Sequence, residues 1–529
     1  MIGLVNIFFT HIMKGILKTK DYESFQVGET EFCGAHKAAK ALLGDYVELS
    51  ESTEEVKVAR ILLRSTHTSL VGTLEISGKT KYGYTSRNVP IYLFIPWNVA
   101  YPPFYVGSSH PDKSVNLIVV VDFESWNSSA NCPRGILKRI IGASGNLEAE
   151  EAALKLYTHP IAWKKGLEIQ PRIPFLQGGS MLDTDTFHVD PEGCIDIDDA
   201  ISVWENGSTI ELRIHIADVA SLLSNNNALW TAEKLGETLY KDGTIVSPLF
   251  PKDVQEACSL VPGSMRPTLT LGITWCKESN SVIKKWWIQQ DIIVKKTYTY
   301  DTFYLCPNAQ LLYDLVSNLS KRKVNDSHEL IEELMLLYNK EAANVIYQAQ
   351  KGILRRHSQP DSELLASLEK QGVSPIYLAY KAGNYCESTA SDTRHWGLKE
   401  AVYCHASSPI RRWVDCINQA VIIKTLFVPE IVVPPYHIDS INSQQRLVKA
   451  FERDLFFMKM LLTSSTKRVQ GHVILAGPQK AKIWVPEWNK CVSIYEYMNV
   501  GDHVELSVYM DASKRNWKQR LILEVLEST

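Results

Sequence analysis

The stretch Val189–Trp204, VDPEGCIDIDDAISVW, carries the sharpest chemical signal in the chain. Asp190, Asp196, Asp198 and Asp199 fall within ten residues of one another. Asp196 and Asp198 stand two apart, so an extended backbone puts both carboxylates on one face. Asp190 precedes a Pro and Gly turn that lets the chain double back. Ile195, Ile197, Ile201 and Val203 flank the acids and argue against a solvated loop. Four carboxylates near a core repel one another, and protons or bound cations must relieve that repulsion. An oxygen-only donor set favours a hard ion such as Mg²⁺. Two such ions about 4 Å apart can activate a water and stabilise the leaving oxygen of a phosphodiester. Taken alone, the cluster also fits a calcium or structural metal site or a solvated turn. The spacing departs from the EF-hand pattern, however, and no Glu closes it.

Alternating apolar residues at 194–203 and 210–219 imply two strands around this cluster. Downstream, ELIEELMLLYNKEAANVIYQAQ (329–350), SPIRRWVDCINQAVIIKTL (408–426) and SQQRLVKAFERDLFFMKMLL (443–462) space apolar residues three and four apart, as helices do. Upstream, KGILKT, the run around Phe25 and Val27, and GDYVELS read as strands of a small barrel. VGTLEI, YGYTSRNVPIYLFIP and VNLIVVVDFESW make a second all-β stretch, and PRGILKRIIGASGNLEAEEAALKLY carries a turn followed by an amphipathic helix. The tail, with GHVILAG, AKIWVPE, HVELSVYM and RLILEVL, turns β again. OB-folds suit such small barrels because they bind single strands. The expected architecture is multidomain α+β: barrels at 13–65 and 66–150, a large α+β centre at 165–465, and a closing OB barrel at 468–529.

YCHASSPIRRW (403–413) is the second signal. Ser408 is expected to cap a helix and Pro409 to occupy its first turn. That would set Arg411 and Arg412 where backbone N–H groups and the helix dipole favour anions. A guanidinium there can grip a phosphate with two hydrogen bonds. A surface Arg pair bonded to Asp415 explains the motif equally well on its own. Glu452, Arg453 and Asp454 of AFERDLFFMKM read, in isolation, as an ordinary salt-bridged helix.

Composition sets the bounds. The chain has 529 residues, 45% hydrophobic and 22% charged, enough for more than one core. A net charge of −3 gives no overall basic surplus, but an RNA channel needs only a local basic lining. Ten cysteines, with no CxxC pair and no zinc spacing, suit a reducing compartment, and the expected location is cytoplasmic. No apolar run reaches the roughly 20 residues of a membrane helix. The apolar start, MIGLVNIFFTHIM, lacks a basic lead and a cleavage site, so a short extension or initiation at Met13 is the expectation rather than a secretory signal.

In this order the segments resemble the RNase II family, which includes RNase R and the catalytic subunit of the eukaryotic exosome. DPEGCIDIDDA with HIADV carries the likeness, supported by LYKDGTIVSPLFP, CSLVPGSMRPTLT, EELMLLYNKEAA, ILRRHSQP, YCHASSPIRRW and ERD. RNVPIYLFIP and PRGILKRIIG look closest to the eukaryotic branch, with no nuclease domain ahead of the barrels. The resemblance implies cold-shock-like OB barrels and a C-terminal OB-fold flanking an RNB catalytic domain. It implies processive hydrolysis of single-stranded RNA with a free 3′ end to 5′-mononucleotides, by a chain expected to be monomeric with no membrane partner.

The resemblance also implies roles. Asp190, Asp196, Asp198 and Asp199 would hold Mg²⁺, with two ions and with Mn²⁺ as a substitute, and chemistry would depend most on Asp198. Arg411 would grip the scissile phosphate, with Arg412 beside it on the RNA. Tyr240 would stack on the 3′-terminal base, Tyr300 and Glu333 would contact sugar, and Glu452 would lie near the RNA. His215 and Asp218 read as structural. The chain departs from the family at His405-Ala406-Ser407-Ser408 (usually His-Phe-Thr-Ser), at Leu235 (usually Arg) and at Gln419 (usually His). These departures touch RNA grip and processivity rather than the metal ligands. The rival readings are a catalytically silent RNA-binding regulator on the same fold, marked by a lost aspartate or arginine, and a DNA exonuclease.

Overall fold

A computed structural model describes residues 13–51, 56–66, 69–161, 163, 184–224, 227–359, 362, 366, 383–463, 466–511 and 520–528. The apolar start at 1–12 lies outside the described residues. The chain divides into two compact units: Met1–Pro160 with Arg453–Val469 and Glu505–Leu526, and Ile161–Glu452 with Gln470–Val504 and Glu527–Thr529.

The first unit begins with β1 (Lys14–Thr19), β2 (Ser24–Val27), β3 (Thr30–Cys33), β4 (Tyr46–Glu51) and β5 (Val56–Leu63), a sheet in the order β3-β2-β1-β4-β5. Next come β6 (Leu70–Glu75), β7 (Ile91–Pro96), β8 (Phe104–Gly107), β9 (Leu117–Ser125) and β10 (Arg134–Ala143), which close into a barrel in the order β10-β8-β7-β6-β9. In the run expected to hold a turn and then an amphipathic helix, residues 134–143 are the strand that closes this barrel, and the expected helix comes after it. Helix α1 (Leu147–Thr158) follows, with the Asn146 side chain accepting from Ala149 N as a cap.

The second unit is built on one six-stranded sheet. Its strands are β11 (Thr186–Val189), β12 (Asp199–Asn206), β13 (Thr209–Ala217), β16 (Met265–Cys276), β17 (Ser281–Ile293) and β18 (Lys296–Tyr298), in the order β17-β16-β13-β12-β11-β18. Between β13 and β16 lie α2 (Val219–Leu223), the hairpin β14 (Leu239–Lys241) and β15 (Thr244–Ser247), and α3 (Lys252–Cys258). Then come α4 (Ala309–Ser320), α5 (Ser327–Gln348), the paired strands β19 (Ile353–Arg356) and β20 (Asn384–Glu387), and α6 (Trp413–Leu426). Leu212, Ile214, Leu271 and Ile273 of the sheet share an apolar cluster with Leu312, Leu334, Ala342 and Ile346 of α4 and α5. Helix α7 (Ile438–Thr463) precedes a last sheet, β21 (Lys467–Ala476), β22 (Ala481–Val485), β23 (Lys490–Ile494), β24 (His503–Met510) and β25 (Leu521–Ser528), in the order β23-β22-β21-β24-β25.

Helix α6 is buried from Trp413 through Ile423, so its polar side chains must find partners inside the protein. They do. Gln419 donates to the Ala217 carbonyl (2.8 Å) and accepts from Ala220 N (2.9 Å), at the corner between β13 and α2. Asn418 accepts from Ile353 N (2.8 Å) and donates to the His405 carbonyl (2.9 Å). The departure at Gln419 therefore bears on packing, not on RNA grip. Leu235 and Ala406 are likewise core residues, each 1% exposed. His215 bonds Ser202 and Thr270 at 2.9 Å on either ring nitrogen, and burial holds its pKa down to about 3. Asp218 caps α2. Both are structural. Among the described residues no helix is long and apolar enough to cross a membrane.

One contact in the first unit joins residues 370 apart in sequence: Arg520 Nη1 donates to Glu150 Oε1 at 2.8 Å, with the side chains 8% and 2% exposed. Removing one partner leaves the other charge buried. Arg520→Ala is expected to destabilise this unit by about 3–5 kcal/mol, whereas replacing both residues by apolar ones of similar volume is expected to cost far less. Calorimetric unfolding of the single and double variants checks this, and equal losses in both would contradict it.

Candidate active site

The acidic stretch reaches its pocket by a shorter strand than alternation predicts. β12 begins at Asp199, and residues 191–198 form a turn and an irregular extended approach. The turn satisfies Ile197 N through Ser259 Oγ (3.0 Å), and the Asp198 carbonyl accepts from Ala217 N (2.9 Å). Asp190, Asp196, Asp198 and Asp199 thereby line one cavity of about 810 Å³.

The four carboxylates differ in surroundings. Asp198 is 5% exposed, accepts from Ile410 N (2.8 Å) at Oδ1, and faces Arg411 Nε across 3.4 Å at Oδ2. Burial pushes its pKa well up, Arg411 opposes that, and the neighbouring Asp196 and Asp199 add to it. Asp199 is pushed up to about 7, again by burial first and by Asp190 second. The Oδ2 atoms of Asp198 and Asp199 are buried without a hydrogen-bond partner among the described residues. Asp190 is held by His188 Nδ1 at 3.0 Å, and Asp196 accepts from the Tyr240 hydroxyl at 2.5 Å. Burial and this bond to Asp196 raise the Tyr240 pKa well beyond the usual tyrosine range. Among the described residues no three His, Cys, Asp or Glu side chains stand ready-made in coordinating geometry.

The arginines arrive differently from expectation. Ser408 does not cap α6 and Pro409 is not in its first turn, because the helix starts at Trp413 with Arg412 at the cap position. Asp415 causes this. Its Oδ2 accepts both Ser408 N (2.8 Å) and Arg412 Nη2 (3.1 Å), folding 408–412 into a turn ahead of the helix. Arg411 Nη2 donates to Ser408 Oγ (3.0 Å) and its side chain remains 44% exposed in the cavity wall. Arg412 also lines the cavity, tied to Asp415 as the plainer reading of the motif holds.

Tyr240 and Tyr300 line the cavity as well. Tyr300 stacks on His328, with ring centroids 3.9 Å apart and planes at 12°, and burial with Asp190 and Asp199 raises its pKa to about 12. Glu333 is not brought to the cavity. It forms an ion pair with Arg322 at 2.6 Å, and its neighbour Glu332 lines the cavity instead. One residue is 100° of helix, and the inward face of α5 is the one carrying Ile331, Glu332, Met335 and Asn339. Glu452 is exposed on α7 and is not among the cavity residues.

Sequence reasoning missed three neighbours. His188 orients Asp190, and its only advance signal is its place two residues ahead in the same extended run. Asn339 donates to the Tyr403 hydroxyl and Ser407 Oγ, each at 3.2 Å, and accepts from Ala406 N at 2.8 Å, holding the segment that leads into Arg411. Tyr403 lines the cavity too. No spacing rule would have found the last two, since their partners are more than 60 residues away.

The described residues combine a six-stranded sheet, small β-domains and an acidic cavity faced by Arg411. The RNB domain model matches residues 180–306 and 302–428, and the Dis3-like cold-shock domain 2 (CSD2) model matches 91–159. The exosome complex exonuclease RRP44 of Homo sapiens is 23% identical over 474 residues, covering 70% of this chain and 49% of that protein. Ribonuclease R of Buchnera aphidicola is 23% identical over 431 residues, covering 64% and 59%. This chain thus spans about half to three-fifths of those proteins' lengths. Among solved structures, Mycoplasma genitalium RNase R in complex with ribose methylated single-stranded RNA superposes with a TM-score of 0.73 at 16% identity, over 97% of this chain and 100% of that one. Yeast Ssd1, a pseudonuclease, gives 0.62 at 15% identity over 94% and 82%. The chain thus carries an RNB domain, the domain of the RNase II/RNase R family, behind a Dis3-like cold-shock domain.

The raised Asp199 pKa fixes a sign for stability. Between the ordinary value of 3.8 and about 7 the folded state holds a proton that the unfolded state has lost, so this group's contribution to stability falls as pH rises through that window. In a chelating buffer Asp199→Asn is therefore expected to melt above the wild type at pH 8, with the gap narrowing toward pH 5. A gap independent of pH in thermal melts would contradict the electrostatic account.

Proposed function

We propose that this chain is a divalent-cation-dependent hydrolase that degrades single-stranded RNA from its 3′ end, releasing 5′-mononucleotides processively. The observation that carries this reading is the convergence of four aspartates and Arg411 on one cavity. Ion binding fits the donor set. The carboxylates are oxygen ligands suited to Mg²⁺ or Mn²⁺, and the buried Oδ2 atoms of Asp198 and Asp199 accept no hydrogen bond among the described residues, with Arg411 the one cation set against them at the cavity. Asp190, Asp196, Asp198 and Asp199 would hold the metal, two ions in number. When bound, Mg²⁺ supplies an activated water and charge neutralisation at the phosphodiester.

The chain's own groups supply the rest. Arg411, anchored through Ser408, presents its guanidinium to the scissile phosphate and offsets negative charge that builds there. Asp198 fixes the orientation of Arg411 while Ile410 N fixes Asp198. The Tyr240 ring offers a stacking face for the terminal base. Tyr300, held rigid against His328, lies at the sugar, where a 2′-hydroxyl distinguishes RNA from DNA. The named relatives are an exonuclease and a ribonuclease, and one fold neighbour is in complex with single-stranded RNA, which supports the substrate class. The silent-regulator reading has a fold neighbour in Ssd1, but an intact acidic cluster facing Arg411 favours hydrolysis. A monomer acting in the cytoplasm is part of the same proposal.

Asp198→Asn is expected to lower hydrolysis of 5′-labelled RNA by roughly 10²–10³-fold or more while changing RNA affinity little. Near-normal shortening by this variant, seen on a denaturing gel with and without Mg²⁺, would remove the assignment. Since Glu332 and not Glu333 faces the cavity, Glu332→Gln is expected to shift the ratio of RNA to DNA degradation more than Glu333→Gln does. The reverse order would restore the position read from sequence.

A further inference from the structure

The second unit holds another cavity, of about 890 Å³, lined by His357 at the end of β19 and by the loop 391–400. The loop is pinned to the strand end: His357 N donates to the Arg394 carbonyl and Trp396 N to the His357 carbonyl, both at 2.9 Å. Two imidazoles meet there, His357 and His395, with centroids 5.3 Å apart. Each accepts a backbone N–H at Nδ1, from Gly397 N (3.3 Å) and Leu398 N (3.2 Å) respectively. In the neutral rings the proton therefore sits on Nε2, and both are donors there. A Cβ at Gly397 would stand 2.9 Å from His357 Nδ1, so only glycine lets the loop approach this closely. His357 is 7% exposed and its Nε2 has no partner among the described residues. Burial, His357 and Arg355 hold the His395 pKa down to about 4, which keeps it a neutral donor at pH 7.

The rim has the complementary features. The side chains of Arg394 and Lys399 reach no acidic partner among the described residues, and Glu400 is already held by Lys340 at 2.9 Å. Trp396 is 36% exposed at the cavity edge, and Asp392 is the remaining acid. A planar aromatic beside two unengaged cations and two N–H donors matches one ligand chemistry: a base to stack and a phosphate to hold.

We propose that this second cavity binds a nucleoside 5′-phosphate, with Trp396 on the base, Arg394 and Lys399 on the phosphate, and the His357 and His395 Nε2–H groups donating to ligand oxygens. Asp392 accepts from a ribose hydroxyl or a base amino group. The nucleotide comes either as a free mononucleotide or as one unit of an RNA strand. His395 packs edge-on against Tyr403 at 5.2 Å, and Tyr403 lines the aspartate cavity, so the two sites share a wall. Binding here does not depend on the hydrolytic reading.

The test is equilibrium dialysis of radiolabelled adenosine 5′-monophosphate against the full chain in chelating buffer. Saturable binding is expected in the wild type and in Asp198→Asn, and about tenfold or more weaker in Trp396→Ala and in Arg394→Glu. Both altered positions are exposed, and circular dichroism confirms that the variants fold. Displacement of the label by a single-stranded RNA carrying a 3′-phosphate identifies a strand nucleotide as the source, and its failure identifies a free one. Absent binding, binding unchanged in both rim variants, or inorganic phosphate competing as well as the nucleotide would overturn the proposal.

Discussion

Repulsion among Asp190, Asp196, Asp198 and Asp199 in one cavity is the constraint to which the second unit is built. Two of these carboxylates are buried deeply enough that their acidity weakens, Asp199 to about 7 and Asp198 well above the ordinary carboxylate range. A fold meets such a demand only if rigid elements fix the acids from several sides. Here β12 carries Asp199, Ile410 N fixes Asp198, His188 fixes Asp190 and Tyr240 fixes Asp196. None of these contacts neutralises the cluster. On the proposed reading, a bound cation does.

The burial of α6 follows from the same demand. Ile410 and Arg411 reach Asp198 from a turn that Asp415 ties down just before the helix, so the helix must sit against the sheet with little freedom. Its amides Asn418 and Gln419 fix that position through β19 and the β13–α2 corner. Polar groups inside an apolar core are costly unless bonded, and fully bonded ones specify a single arrangement. The precision of the site is thus held by residues that never touch its contents.

Much of this was legible in the chain, for a physical reason. Local patterns report local structure: the acid spacing marked the cavity, and three- and four-residue periodicity marked α5, α6 and α7 within a few residues. What escaped was set by contacts distant in sequence. Asp415 overrode the Ser408–Pro409 helix start, and the strand carrying the acids began at Asp199 rather than Cys194 because the turn before it is held by Ser259, far downstream. Glu333 came from the resemblance, and a shift of one residue along α5 is enough to bring Glu332 to the cavity in its place. Asn339 and Tyr403 gave no signal that spacing could expose.

The account stands or falls on whether the carboxylates take up divalent ions. Calorimetric titration of Mg²⁺ into the full chain at pH 7, in two buffers of different ionisation enthalpy, reads both the binding and the protons it displaces. Saturable uptake with proton release, abolished when Asp198 and Asp199 are both replaced by Asn, is the predicted result. No saturable uptake, or uptake indifferent to those replacements, would contradict the central claim.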